Sequence, residues 1–459
     1  MDLGQKIKSV DVNYPVENIK VNGKQFWPFF RVFFFDAQYV KGGTQTSFSL
    51  TQKLQFLLSS FYGIFNWFGK TEYLVFSNSD QRKEVNGKWI DKSADYLNLK
   101  LPHTLHIELP VFKHFSHSKL KFKRVVSHLP LRFLEVVYMK LILRKVSIEG
   151  MEILNQLNEK FELNISGTEV AKRFLAQYSV MKFILRFIQP KAVFMAVPYM
   201  KMGYVLAIKE NGIPVIEMQH GSINNSHFGY TNYKQFDASL FPNYLLAYGE
   251  GTKDVFVDGN ITYSSETVFP IGHYYLHLID DNVGEKNKLA KQLSGAQKTI
   301  AVSLQDDSVG SKIVAVLTEV AQKKSDWKFV FVPRKTPQKV YEKMNLPPNI
   351  LFAPELNVYE VIAICDYHTT VFSTCALEAP TLGKGNVLVN INNKSKEYFD
   401  HILTDNRVTR FANSATDFIN ELEKGDFPNA LEIKKSNNRV MVSGFEANLQ
   451  SALQEMHIL

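Results

Sequence analysis

The chain is 459 residues long, with 45% apolar and 21% charged residues and a formal net charge of +8. That length is too great for a single core and argues for two or three domains, and the balance of apolar and charged residues excludes a disordered chain. Two cysteines, Cys365 and Cys375, lie in one apolar segment, which excludes a disulfide framework or a cysteine metal site and suits a reducing compartment.

The amino-terminal MDLGQKIKSV lacks the apolar stretch of a signal peptide, so a cytoplasmic protein is expected. Residues 1–70 follow no clear period and read as an irregular extension. Their longest apolar run, Leu54–Phe68, is about 15 residues where a spanning helix needs roughly 20, and it reads as a buried or interfacial helix. From Lys113 to Lys145, nine basic residues accompany one acid, Glu135, with Phe115, Phe122, Phe133 and Tyr138 interleaved. Such a stretch suits a solvated helix face or an anionic membrane surface, here the inner face of the cytoplasmic membrane. No nucleic-acid-binding module accompanies the charge, so nucleic acid is not an expected partner.

Short apolar runs bounded by turn residues predict strands at Tyr73–Ser77, His103–Leu109, Ala192–Ala196, Pro214–Met218 and Tyr244–Tyr248, with helical patterns such as Gly167–Phe187 and Met202–Lys209 between them. The alternation resumes with Thr299–Leu304, Lys328–Val332, Ile350–Phe352, Tyr367–Phe372 and Val387–Asn390, around helices such as Ser311–Lys323 and Val358–Ala363. Nearly continuous apolar strands separated by helices predict parallel sheets covered on both faces. The fold class is therefore α/β, with two Rossmann-like, doubly wound domains facing a central cleft. The polar stretch 257–296 sets the boundary: 1–265 for the first domain and 266–440 for the second, with 441–459 as a terminal helix crossing back to the first.

In such sheets ligands bind beyond the carboxyl ends of the strands. Residues 213–230, IPVIEMQHGSINNSHFGY, run off one predicted strand straight into Gln219-His220-Gly221. Gly221 permits a tight turn and a close ligand approach, and His220 carries a group suited to taking a proton near neutrality. A histidine after a strand is commonly a packed structural residue. The ionisable and hydrogen-bonding neighbours Glu217, His227 and Tyr230 favour a catalytic cluster, with Gln219 and Asp80 as further polar groups. In the second half, DYHTTVFSTCALEAPTLGKG places Ser373 and Thr374 at a helix start, where free N–H groups hold phosphate, and Glu378 one turn on, within reach of a ribose or sugar hydroxyl. Arg334 and Lys335 end a strand where cations suit a diphosphate, and Gly272 and His273 stand at the expected hinge.

Taken together, Gln-His-Gly after a first-domain strand, FPNYLLAYGE, the PIG hinge, the basic strand end and the STCALEAPTLGK segment resemble the GT-B glycosyltransferases of bacterial surface polysaccharide synthesis. The likeness extends to CDP-glycerol-dependent teichoic-acid polymerases and to capsule Kdo and sialic-acid transferases, and covers roughly residues 70–440. It implies a nucleotide-sugar donor in the second domain, held by Arg334, Lys335, Ser373, Thr374, Glu378, His273 and Gly272. It implies a glycan or lipid-linked acceptor in the first, with His220 matching the histidine of a Trp-His-Gly motif. Gln219 stands where that motif has Trp, and VPRKTP stands where the polymerases carry a His-Pro motif, which favours a sugar over CDP-glycerol. No Asp-x-Asp motif occurs, so a metal-independent transferase without a cofactor is expected. A polyol-phosphate transferase, a UDP-sugar 2-epimerase of the same fold and a non-catalytic glycan-binding scaffold are the alternatives.

Overall fold

The structure, a computed structural model, describes residues 3–39, 50–85, 87–111, 114–221, 223–224, 227–257, 260, 262–282, 287–305, 309–334 and 338–459. The chain divides into two compact units, one of Met1–Ala247, Gly251–Phe269 and Leu449–Leu459, the other of Tyr248–Glu250 and Pro270–Asn448.

The first unit is built on seven strands: β1 (Tyr73–Asn78), β2 (Thr104–Leu109), β3 (Val125–Ser127), β4 (Ala192–Met195), β5 (Val215–Met218), β6 (Tyr244–Ala247) and β7 (Val268–Pro270). They lie in the order β7-β6-β5-β4-β1-β2-β3. From β6 to β3 every neighbouring pair is parallel. All four residues of β4 and of β5 are buried, as a strand covered on both faces requires. The order reverses between β1 and β4, which makes that pair the switch point of the sheet. β3 and β7, each of three residues, carry too little pattern to be read from sequence.

Residues 3–39 are not irregular. Helices α1 (Leu3–Asn13) and α2 (Trp27–Tyr39) flank a small antiparallel sheet of Lys20–Val21, Lys24–Gln25 and Ile148–Glu149. Phe26, Trp27, Phe29, Phe30, Phe34 and Phe35 are fully buried and pack with Phe174 of α6 (Gly167–Ile184). The high phenylalanine content is spent partly here, on an aromatic layer whose area alone stabilises strongly. Helix α3 (Leu50–Ser60) follows, then α4 (Leu129–Val137) and α5 (Met151–Lys160) ahead of α6. Of the two expectations for 54–68, burial does not hold, because Leu57, Leu58, Phe61, Phe65 and Phe68 face solvent. At the far terminus Tyr73 Oη donates to Ile458 O at 3.2 Å within this unit.

The second unit holds β8 (Lys298–Ser303), β9 (Trp327–Val332), β10 (Ile350–Phe352), β11 (Tyr367–Thr369), β12 (Gly385–Val389) and β13 (Thr409–Ala412). The order is β10-β9-β8-β11-β12-β13, all parallel. In chain order that is 3-2-1-4-5-6, the Rossmann arrangement, with its switch point between β8 and β11. Cys365 and Cys375 are free and buried.

Candidate active site

In the first unit β5 delivers Glu217 and His220 to the carboxyl edge of the sheet. Glu217 is buried, and its two oxygens accept the Tyr230 hydroxyl at 2.6 Å and the Tyr263 hydroxyl at 2.5 Å. Burial pushes its carboxyl up to about 7 against the pull of those two hydrogen bonds. Glu217 and Tyr230 are thus occupied with each other, and neither presents a free group in the way the sequence suggests.

His220 leaves the strand differently. Its Nδ1 is buried and has no hydrogen-bond partner among the described residues. Burial holds the imidazole down at about 4, with repulsion from Lys201 and His227 adding to it, so the ring is neutral at physiological pH. Gln219 donates to Gly221 O at 2.8 Å and closes the turn beside it. Tyr199 gathers the cluster: its ring centroid lies 6.3 Å from His220, 5.4 Å from His227 and 5.5 Å from Tyr230. His227, pushed down to about 4 by burial, accepts the Gly229 N–H at 3.1 Å through Nδ1. Asp80 is exposed in the turn after β1, two strands from β5 and beside the switch point.

Two features of this site escape the sequence. Lys201 is buried past the end of β4 and donates to Ala196 O at 2.9 Å; burial, with the nearby Arg132, lowers its ammonium to about 8. It forms no ion pair with a carboxylate among the described residues, and it keeps a positive charge near His220. A lysine six residues after a strand carries no local signal of burial. The second feature is a latch. Asp11 accepts the Tyr233 N–H at 3.1 Å and the Trp27 indole N–H at 3.1 Å. Arg31, 3.4 Å from the Asp11 carboxylate, donates to Thr231 O and to Asn232 Oδ1. The amino-terminal helices therefore hold the segment that carries His227 and Tyr230.

In the second unit the loops after β8 and β11 meet at the switch point. Gln305 accepts the Phe372 N–H at 3.0 Å, and Thr370 donates to Ser303 O at 2.8 Å. This brings Ser373 and Thr374 next to Gln305, a partner the sequence does not suggest. The expected helix behind them is one turn only, Cys375–Glu378. Ser373 Oγ accepts the Cys375 N–H at 3.4 Å, while Thr374 has helical backbone angles and makes no side-chain cap. A long-helix dipole is therefore not available there. Glu378 is buried and accepts the Tyr359 hydroxyl at 3.1 Å. Arg334 is exposed just beyond β9, and Lys335 lies outside the described residues. Gly272 has φ +90°, and a Cβ there would sit 2.5 Å from Val442 O, so the position serves a close backbone approach. His273 is buried and starts the helix Tyr274–Asn282; its ring accepts the Leu276 N–H at 3.4 Å and lies 4.8 Å from the Tyr248 ring. Among the described residues no group of three or more His, Cys, Asp or Glu is placed to hold a metal ion.

No family model and no curated protein matches the chain. Solved structures do match. The UDP-GlcNAc 2-epimerase of Neisseria meningitidis bound to UDP-GlcNAc is 13% identical over 83% of this chain and 99% of that chain, with a TM-score of 0.50. A putative UDP-N-acetylglucosamine 2-epimerase from Listeria monocytogenes (11% identity, 85% and 97% coverage, TM-score 0.49) and the calicheamicin glycosyltransferase CalG4 (11%, 84% and 100%, 0.47) are also similar. At such identity the likeness speaks for fold. Two parallel-sheet Rossmann-like units in one chain make this a protein of the GT-B fold.

Proposed function

We propose that the chain is a glycosyltransferase that moves a sugar from a nucleotide-sugar donor to a hydroxyl of a glycan or lipid-linked acceptor in bacterial surface polysaccharide synthesis. The observation that carries this reading is His220: an imidazole held neutral, with an unpartnered Nδ1 among the described residues, at the carboxyl end of a central strand of a GT-B unit. A neutral imidazole can accept the acceptor's hydroxyl proton as that oxygen bonds to the anomeric carbon and the nucleotide leaves with the electron pair of its own C–O bond. Burial, with the nearby Lys201 charge, keeps the imidazole deprotonated until then. In the second unit Gln305, Ser373, Thr374 and Arg334 line the carboxyl side of the sheet, where Rossmann-like units take nucleotides. The nucleotide-sugar class is also what the Neisseria structure is bound to, as UDP-GlcNAc.

The test is a panel of nucleotide sugars. The cognate donor, present well above its dissociation constant, raises the melting transition by about 3–4 kcal/mol of added stability. Free nucleotide then appears only when an acceptor glycan is added. Nucleotide release without acceptor, together with inversion at the sugar C2, would instead assign a 2-epimerase, and glycan binding indifferent to every donor a scaffold.

A further inference from the structure

Apolar exposure in the first unit is concentrated. Of the 22 large apolar side chains exposed among the described residues, 13 fall within 57–68, 133–142 and 183–187. All six exposed phenylalanines are among them: Phe61 62%, Phe65 83%, Phe68 77%, Phe133 67%, Phe183 48% and Phe187 73%. The segments adjoin in the fold. α3 packs beside α4 (Leu129–Val137), α4 and the turn Tyr138–Ile142 that continues it both pack on α6, and Ile64–Trp67 lies beside β3. Soluble proteins rarely leave so much contiguous apolar surface unless something covers it.

The charges around this face indicate what does. Residues 50–71 contain no acid, and residues 114–148 contain only Glu135, which is buried against Arg132 and Tyr204. Lys121, Lys123, Lys140, Arg144, Lys145 and Arg186 are exposed on the same or flanking segments. The core of a protein–protein interface is depleted in lysine. Protruding phenylalanine and leucine side chains fringed by lysine and arginine, with no exposed acid between, match instead the boundary between acyl chains and anionic headgroups.

We infer that this face docks on an anionic lipid bilayer, with the phenylalanines inserted into the acyl boundary and the cations on the headgroups. The basic stretch 113–145 supplies much of the charge, and α3 with its following turn and the end of α6 supply much of the apolar contact. No helix among the described residues is long and apolar enough to cross a membrane, so the protein lies on the surface it binds. The inference stands apart from the transferase reading.

Vesicle sedimentation tests it, using the full chain with phosphatidylcholine vesicles alone and with about three in ten lipids replaced by phosphatidylglycerol. Wild type pellets with the anionic vesicles and far less with neutral ones. Replacing Phe65, Phe133 and Phe187 together by Ser lowers partitioning by about tenfold per residue. The separate triple variant Lys121→Glu, Lys123→Glu, Lys140→Glu abolishes the preference for anionic lipid. Both variants keep the wild-type melting transition, because the altered side chains are exposed. Wild type that stays in the supernatant overturns the inference, as do phenylalanine variants that pellet like wild type. So does a lipid-free wild-type dimer, seen by sedimentation velocity, that the phenylalanine variants dissociate, since the face would then belong to a second copy.

Discussion

Asp11 accepts the backbone N–H of Tyr233 at 3.1 Å, across 222 residues of chain. With Arg31 beside it, this bond ties the first helices of the protein to the segment that packs around His220. Arg31 is 1% exposed and Asp11 is fully buried, so the pair is sealed from water. Arg31→Met leaves the buried Asp11 carboxylate without its counter-ion and the acceptors on Thr231 and Asn232 without their donor. The expected loss is about 3–5 kcal/mol of unfolding free energy, read by urea denaturation. The double variant Arg31→Met, Asp11→Leu should lose less than the two single losses added together. Additive losses would mean the two side chains act independently.

His220→Ala is expected to lower kcat by about 10²–10⁴ while donor affinity, assigned to the second unit, stays unchanged. The pH profile adds a sharper check. The neutral ring is the active form, and burial holds its pKa at about 4. Activity should therefore persist on acidification through 6.5 and fall only as the pH approaches 4, and the variant should lack that acid limb. Near-normal turnover per folded molecule would remove His220 from catalysis.

Glu217 titrates in the opposite sense. Its folded-state pKa of about 7 lies above the ordinary 4.5. The folded protein thus holds a proton that the unfolded chain releases between those values. The group's contribution is fully present below about pH 4.5 and is lost as pH rises through 7, a change of about 3 kcal/mol. Glu217→Gln should flatten the stability curve across that window relative to wild type. Parallel curves for the two proteins would show the carboxyl to be ionised throughout.

Gly272 and Arg334 separate structure from binding in the second unit. Gly272→Ala puts a methyl group against Val442 O at a positive φ and should cost about 1–3 kcal/mol of stability, with donor affinity per folded molecule unchanged. Arg334→Ala, at an exposed position, should leave the melting transition in place and weaken donor binding by about 1.5–3 kcal/mol. Titration calorimetry with the cognate nucleotide sugar reads both. Equal donor affinity for Arg334→Ala and wild type would take the residue out of the site.

The sequence by itself determined the α/β class and most of the long central strands, because a parallel strand covered on both faces is apolar at most positions. Val215–Met218, apolar but for Glu217, and Trp327–Val332, apolar but for Lys328, are examples. It also determined that a histidine and a glycine follow β5, and with them the candidate base. Tertiary structure alone decided what each polar group is free to do. Glu217 looks like a spare carboxylate until Tyr230 and Tyr263, 13 and 46 residues away, take its two oxygens. Lys201 looks like a surface lysine until the fold closes over it. Helix α2 shows no period because its aromatic residues are buried nearly all round, which erases the alternation that marks an amphipathic element. From sequence, 54–68 reads as buried or interfacial, and the stretch around Phe133 as a solvated face or a membrane surface. A hydrophobic side chain announces that it will be buried, and only the packing of the rest of the chain decides whether protein is there to bury it.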